Sequence, residues 1–582
     1  MWDHALVSRK PRATGPFHVV TTRRQGKHRE YVAHLLRRSY REGGLVKKET
    51  VANLSRLPDE VVELIRGALR GKQFVLAEEA LAVERSLPAG HVEAALVMAR
   101  RLELPRLLDR APSRERQLCL AMVVQRLLGP GSKLAMSRCF AQSTLAAELG
   151  VADCDEDELY GALDWLLARQ ARIERALARR HLAEGTVVLY DLSSSYFEGR
   201  CCPLAQLGYS RDGRRGTLQV VYGLLCDRRG CPVAVEVFAG ALHDDKTLPA
   251  QLDKLRSRFG LASVIVVSDR GMVTKANIEL LRSSEGAAWI TALKAPQIKK
   301  LVREGALQLS LFDQHNLAEI AADDYPDERL VVCRNPLVAA ERARKREDLV
   351  QATERALAEI QQRVANGSLR GEAEIGLAVG AVWNRWRVRK HFTVEITDTN
   401  LSSARKQEQI AAEAALDGIY VLRTSVPEHD LDAPEVVRAY KQLKEVEKAF
   451  RTLKGPLELR PIHHRLEDRV RAHVFLCMLA YYLTWHLRQA WKPLLFDDEH
   501  PARQPDPVAK AKRSPQAEQK AQSKHTTNGQ RCHSLTTLLD ELATRTRNTI
   551  RLHHGASFEQ LTQPTETQAQ ALTLIDDYTP TT

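Results

Sequence analysis

The chain has 582 residues, 44% of them hydrophobic and 27% charged, which is enough apolar content for several packed domains and excludes a wholly disordered chain. Its 86 Lys and Arg outweigh 73 Asp and Glu, and the net charge of +13 favours a polyanionic partner. No apolar run reaches the roughly 18 residues a membrane span needs, and the first residues, MWDHALVSRKPRATG, form no signal segment; the expected location is cytoplasmic, without membrane contact. The ten cysteines are scattered and read as reduced thiols.

Residues 1–88 read as a basic β-hairpin plus a short helix, a candidate DNA-binding piece. YVAHLLRRSYREGGLVKKETVANL suggests two extended runs joined at Glu42-Gly43-Gly44. Arg23, Arg24, Lys27, Arg29, Arg37, Arg38, Arg41, Lys47 and Lys48 crowd it, as on a ribbon lying along a phosphate backbone, though a solvated face has the same composition. LPDEVVELIRGALRG, from Leu57, predicts a helix with acids in its first turn.

Residues 89–183 are helical in period throughout, an all-α domain for DNA binding or for packing. The period then changes. TVVLYDLSSSYFEG, TLQVVYGLLCD and CPVAVEVFAG predict three strands, DDKTLPAQLDKLRSRFG a helix, SVIVVSDRGM a buried strand, TKANIELLRSS a helix and AAWITALK a strand. The order β-β-β-α-β-α-β over 184–296 matches the first part of an RNase H-like core. Cys201, Cys202, Cys226 and Cys231 lie close in this stretch. CDRRGC has a spacing that zinc tolerates, and a hairpin turn accounts for it without metal.

Residues 297–415 are expected to form an inserted subdomain of mixed strands and one long charged helix, with extended runs from Gly371 to Thr397 around Trp383 and Trp386. Those tryptophans suit either a DNA-contacting hairpin or the insertion's own small core. Residues 416–495 resume the core: DGIYVLRT as a strand, then YKQLKEVEKAFRTLK as one helix from Tyr440 to Lys454, then a long apolar helix. Residues 496–531, rich in Pro, Gln, Ala, Lys and Arg, read as a disordered linker, and 532–582 as a short helix and a polar tail.

Three acids organise this map. Asp191 and Asp269 each follow a short aliphatic run, and Glu447 shares a side of its predicted helix with Tyr440 and Lys454 at seven-residue steps. Two carboxylates at strand ends and one on a later helix are what a two-metal phosphoryl-transfer site needs. Glu445 is a rival third acid but lies off the Tyr440–Lys454 line. Ser193, Ser194 and Ser195 have no histidine at a legible spacing and read as turn residues. Trp289 could stack on an unpaired base or be a core tryptophan, and His463 and His464 could approach phosphates or sit in a solvated loop.

VVLYDLSSSYFEG, VVSDRGM and YKQLKEVEKAFRTLK with LRPIHHR resemble a DDE transposase of a bacterial insertion sequence, of the insertion-sequence-four-like class. That class carries a Tyr-Arg-Glu-Lys signature. Tyr440, Glu447 and Lys454 fit its spacing, and Leu443 stands where the arginine belongs, with Lys444 and Arg451 as possible substitutes for the cation. The resemblance implies an α/β fold, with an RNase H-like catalytic core interrupted by an inserted subdomain and preceded by a basic β-hairpin and an α-helical domain.

It also implies two Mg²⁺ ions, replaceable by Mn²⁺, with Asp191 bridging them and Asp269 and Glu447 each completing one shell. Lys454 and Tyr440 would hold phosphates. The implied reaction is cut-and-paste transposition: water frees a 3′-OH at each end, a hairpin forms and reopens, and the 3′-OH joins target DNA. The partners would be double-stranded DNA, as terminal inverted repeats and target, and a second subunit in a synaptic homodimer at the nucleoid. An RNase H-like nuclease that does not join ends, or an inactive DNA-binding remnant, remains open on the sequence.

Overall fold

The computed structural model describes residues 16–26, 30–72, 74, 80–272, 274–308, 316–553 and 555–580. Lys27, Arg29 and the first fifteen residues lie outside the described residues. Two compact units result: residues up to Ser86 together with Arg547–Leu561, and Leu87–Thr546 together with Thr562–Thr582.

The first unit opens with β1 (Phe17–Gln25), β2 (Glu30–Glu42) and β3 (Leu45–Asn53), an antiparallel sheet in which β2 is central. Two runs were expected here, and β1 adds a third strand. The β2–β3 turn is Gly43-Gly44, with φ of 60° and 79°. Two successive positive-φ residues are what a tight turn matching strand twist demands. Helix α1 (Asp59–Leu69) starts with Asp59 and Glu60, which favour the positive end of its dipole. Strand β4 (Leu81–Pro88) follows.

The second unit begins with four main helices, α2 (Gly90–Arg101), α3 (Arg114–Leu128), α4 (Glu156–Leu167) and α5 (Gln170–His181). Ser113 and Asp155 cap α3 and α4 by accepting from the Arg116 and Glu158 N–H groups. The sheet comprises β5 (Thr186–Tyr196), β6 (Gln206–Leu207), β7 (Leu218–Cys226), β8 (Pro232–Ala239), β9 (Val264–Ser268), β10 (Ala287–Ala292), β11 (Leu317–Ile320), β12 (Arg329–Arg334) and, after an excursion, β15 (Ile419–Thr424). Helix α6 (Lys275–Ser283) joins β9 to β10.

Within it, β8-β7-β5-β9-β10 lie side by side, with β7 antiparallel to β5, β8 antiparallel to β7, and β9 and β10 parallel to β5. Three antiparallel strands followed by two parallel ones is the RNase H-like arrangement. All five residues of β9, Val264–Ser268, are buried, as the doubly covered middle of such a sheet requires.

The excursion is narrower than the sequence suggested. β12 pairs along β15 over its whole length, and β11 along β12, so residues 317–334 extend the main sheet. The inserted piece proper is α7 (Pro336–Ala365), α8 (Glu372–Trp386) and the hairpin β13 (Phe392–Ile396) with β14 (Leu401–Arg405). Residues 372–386, expected to be extended, are helical: Ile375 and Val379 sit one turn apart and pack with Val350, Leu357 and Ile360 of α7 in a separate core. Trp383 and Trp386 pack against that core, with Trp383 5.9 Å from the Phe392 ring.

The expected single helix from Tyr440 to Lys454 is two, α9 (Ala433–Lys441) and α10 (Leu443–Lys454), separated at Gln442. α11 (Glu467–Ala490) follows, with 18 of its 24 residues buried. A helix apolar all round is a central one, and α11 packs on α3, α4 and β8.

The expected disordered linker is ordered by its polar groups. Within 496–531 lies α12 (Pro515–Ser523), capped by Ser514, and Lys520 is buried where it donates to the Lys492 and Leu495 carbonyls. The expected polar tail likewise has structure. α13 (Leu535–Ala543) is followed by strands β16 (Thr546–Leu552) and β17 (Ser557–Leu561), the former pairing with β4, and by α14 (Glu566–Asp576). Ala571 and Ile575 of α14 are fully buried, and the Ala571 carbonyl accepts from Trp491 Nε1 at 2.9 Å. Among the described residues no helix is long and apolar enough to cross a membrane.

Candidate active site

β5 and β9 run parallel with Thr186 beside Val264 and Tyr190 beside Ser268. Continuing that register by one residue sets Asp191 next to Asp269. Helix α10 packs on β5 through Val446, Ala449, Phe450 and Leu453, its buried stripe, with the Phe450 ring 5.8 Å from Tyr222. Glu447 belongs to the other face. The three carboxylates line one cleft of about 410 Å³ with Asn335, Tyr420, Tyr440, Lys441 and Leu443.

Asp191 is half-buried and Asp269 and Glu447 are exposed. Burial pushes the Asp191 carboxyl up to about 7; the Asp269 and Glu447 charges add to this, and the Leu192 N–H and Arg211 oppose it. Like charges at close range disfavour joint ionisation, and a bound cation removes that penalty. Three carboxylates are hard oxygen donors, so this donor set fits a hard divalent cation.

The sign of the linkage follows. The folded-state value lies above that of the unfolded chain, so this group's contribution is most favourable below about pH 4 and declines as pH rises towards 7. Metal-free Asp191→Asn protein is therefore expected to melt higher than the wild type at pH 8, by an amount equivalent to at most about 4 kcal/mol. The gap should close at pH 4 or with Mg²⁺, as thermal unfolding in EDTA and in Mg²⁺ would report.

Tyr440 lines the cleft, and burial, with the Asp269 charge beside it, pushes its phenol up, keeping the hydroxyl protonated. Leu443, at the signature's arginine position, also lines the cleft. The nearest cation in sequence that lines it is one the sequence reading missed, Lys441. Its Nζ donates to the carbonyls of Pro507, Val508 and Ala509 at 2.6, 2.8 and 2.8 Å. The exposed Lys444 and Arg451 are not among the lining residues.

Lys454 stands back from the cleft wall. Its amine donates to Asp212 Oδ1 at 2.9 Å, the Arg460 guanidinium reaches the same oxygen at 2.5 Å, and Asp212 is 1% exposed. The loop carrying Asp212 is held by the serines after Asp191: Ser194 Oγ donates to the Tyr209 carbonyl and accepts from Arg211 N, and Tyr196 N donates to Asp212. Ser195 bonds the Tyr222 hydroxyl at 2.9 Å. Glu445, the rival acid, pairs with Lys448 at 3.0 Å and does not line the cleft.

Trp289 is a correction. It lies in β10 between two paired strands and is 3% exposed, so its ring faces core side chains and offers no surface for a base. His463 is exposed, and His464 stacks edge-on to Tyr160 at 6.0 Å. The CDRRGC segment is a turn, with Asp227 N donating to the Cys231 carbonyl and Gly230 N to that of Asp227.

Residues 203–483 match the family model described as transposase DDE domain, beginning downstream of Asp191 and including Asp269 and Glu447. Residues 17–80 match the model of the IS1634 family transposase N-terminal domain. The chain is a DDE transposase of an insertion sequence.

Neither model names the four-like class. Among solved structures, a cryo-EM structure of a piggyBac transposase synaptic complex with hairpin DNA is similar at 8% identity, over 78% of this chain and 76% of that one, with a TM-score of 0.34. No curated protein matches the chain. Transposases of this kind cleave and rejoin DNA with divalent metal ions.

Several of the transposase's arginines gather away from the acids. Arg172, Arg175 and Arg179 recur on the exposed face of α5, and with Arg106, Arg110 and Arg169 they line a concavity of about 1010 Å³. In the first unit, Arg38 pairs with Glu49 at 2.5 Å and Lys47 with Glu42 at 2.7 Å, whereas Arg41 and Lys48 are exposed.

Proposed function

We propose that Asp191, Asp269 and Glu447 hold two Mg²⁺ ions, or Mn²⁺ in their place, and that the transposase uses them for cut-and-paste transposition. The observation that carries this is the meeting of the three carboxylates in one cleft, two by strand register and one from α10. Such ions, when bound, would supply Lewis acidity to the attacking and the leaving oxygen. The residues of the chain do the rest. The carboxylates would fix the cations beside the scissile phosphodiester and so set the line of attack. Tyr440 offers a protonated hydroxyl to a non-bridging oxygen. Water, then a terminal 3′-OH, serves as nucleophile at one site, giving a nick, a hairpin, its reopening and strand transfer.

The substrate is double-stranded DNA bearing the element's terminal repeats, then target DNA, and pairing of two ends requires a dimer. Arg37, Arg38, Arg41, Lys47 and Lys48 of the β2–β3 ribbon and the arginine face of α5 are the basic surfaces for duplex backbone. Each phosphate contact steepens the salt dependence of binding. Joint Ala substitution of Arg172, Arg175 and Arg179 should flatten the log–log salt slope by about 2–3, read by fluorescence anisotropy over a salt series. An unchanged slope would remove α5 from the DNA path.

The reading as a whole is tested with purified protein, DNA carrying the element's ends, a target plasmid and Mg²⁺. Hairpin and joined products are expected. Cleavage without joining would mean a nuclease, and binding without cleavage an inactive remnant.

A further inference from the structure

We propose that His181, Cys231 and His486 form a second metal site, for a thiophilic d10 ion, at the junction of the helical domain, the sheet and the C-terminal helix. It owes nothing to the acidic cleft and stands whether or not the transposition reading does.

His181 is the last residue of α5, Cys231 precedes β8, and His486 lies on α11. One ligand atom from each lies within 4.8 Å of the others. Cys231 and His486 are fully buried and His181 is 9% exposed. Cys231 Sγ and His486 Nε2 face one another at 3.9 Å.

Each imidazole has one nitrogen on a tyrosine hydroxyl: His486 Nδ1 on Tyr578 at 2.8 Å and His181 Nε2 on Tyr482 at 3.0 Å. A hydroxyl can accept those ring protons, which leaves a lone pair on the second nitrogen of each ring. For His486 that nitrogen is the one facing the sulfur. For His181 it is Nδ1, which is buried and has no hydrogen-bond partner. Outer hydrogen bonds that fix the tautomer are the usual companions of metal-ligating histidines.

Charge and donor type are consistent with such an ion. Two imidazoles and a thiolate suit Zn²⁺ or Cu⁺. Burial, with Arg180 and Arg229 nearby, holds both histidines below their ordinary value, His181 at about 4 and His486 at about 2, so both rings are neutral at physiological pH. Burial raises the Cys231 thiol, so its proton must leave to solvent as the sulfur–metal bond forms, and binding should tighten as pH rises. The two arginines are themselves countered, Arg229 by Asp227 at 2.9 Å and Arg180 by Glu103 at 3.3 Å.

The test uses the full-length protein with Asp191, Asp269 and Glu447 replaced by Asn, Asn and Gln, so the acid cleft no longer competes. Co²⁺ is added under reducing conditions as an optical probe for Zn²⁺. A thiolate-to-cobalt charge-transfer band is expected, saturating at about one equivalent, bleached by Zn²⁺ and absent from the Cys231→Ser variant. A parallel titration with Cu⁺ held by a chelator distinguishes the monovalent ion. Absence of the band together with no Cu⁺ uptake, in triple-variant protein that shows a cooperative melting transition, overturns the proposal. A band that persists in Cys231→Ser also overturns it, by placing the metal on another cysteine.

Discussion

Glu447→Gln protein is expected to bind its DNA ends and fail to cleave them. Gln keeps the size of the side chain and removes the charge. A cleft built from three carboxylates then has two, one of them already reluctant to ionise. Loss of charge stabilisation worth several kcal/mol lowers the rate on the order of 10³-fold or more.

Glu447 is exposed, so the fold should tolerate the change, with a melting temperature close to wild type. The sharpest control is two residues away. Glu445 pairs with Lys448 on the helix surface, a class of interaction worth less than about 1 kcal/mol, and Glu445→Gln should cleave normally. Gel assays of nicking, hairpin formation and joining on one substrate, with both variants side by side, decide the matter. A dead Glu445→Gln beside an active Glu447→Gln would reverse the assignment of the third acid.

That contrast shows how far the sequence reaches. Asp191 and Asp269 stand out because each follows an aliphatic run that reads as a buried strand; Asp269 does come just after β9, whereas β5 continues past Asp191 to Tyr196. Their adjacency is a matter of strand order, which no local pattern encodes; the parallel β5–β9 register supplies it. Glu447 is legible from the stripe Val446, Phe450 and Leu453, whereas the interruption at Gln442 is not, since YKQLKEVEK has good helix formers throughout.

Lys441 escaped notice for a physical reason. What fixes its amine is three carbonyls of Pro507–Ala509, in a segment whose Pro, Gln and Lys content reads the same whether its polar groups bond to water or to protein. Trp289 shows the converse failure. A tryptophan in the strand after Asp269 could equally face DNA or the core; in β10, flanked by β9 and by the sequence-distant β15, it is 3% exposed. The inserted piece was legible as an interruption, but β12 joined the sheet by pairing with β15 across the whole insertion, and β11 by pairing with β12.

Asp212→Ala is expected to be the most destabilising single change near the cleft. The Asp212 side chain is 1% exposed and is the shared acceptor for Lys454, Arg460 and the Tyr196 N–H. Removing it leaves an amine that is 10% exposed without its carboxylate. Stranding one partner of a buried pair costs about 3–5 kcal/mol, far more than the pair itself contributes over an apolar replacement. The double variant Asp212→Leu/Lys454→Met should therefore recover part of that loss in urea unfolding, and a purely additive result would show that the two side chains are not coupled. The same pair links stability to chemistry, because Asp212 ties α10, which carries Glu447, to the loop that Ser194 fastens to β5, which carries Asp191. In Asp212→Asn, which keeps an acceptor for the Tyr196 N–H but not the charge, cleavage should fall through misplacement of α10 while DNA binding persists. Loss of binding along with cleavage would instead indicate that Lys454 contacts phosphate directly.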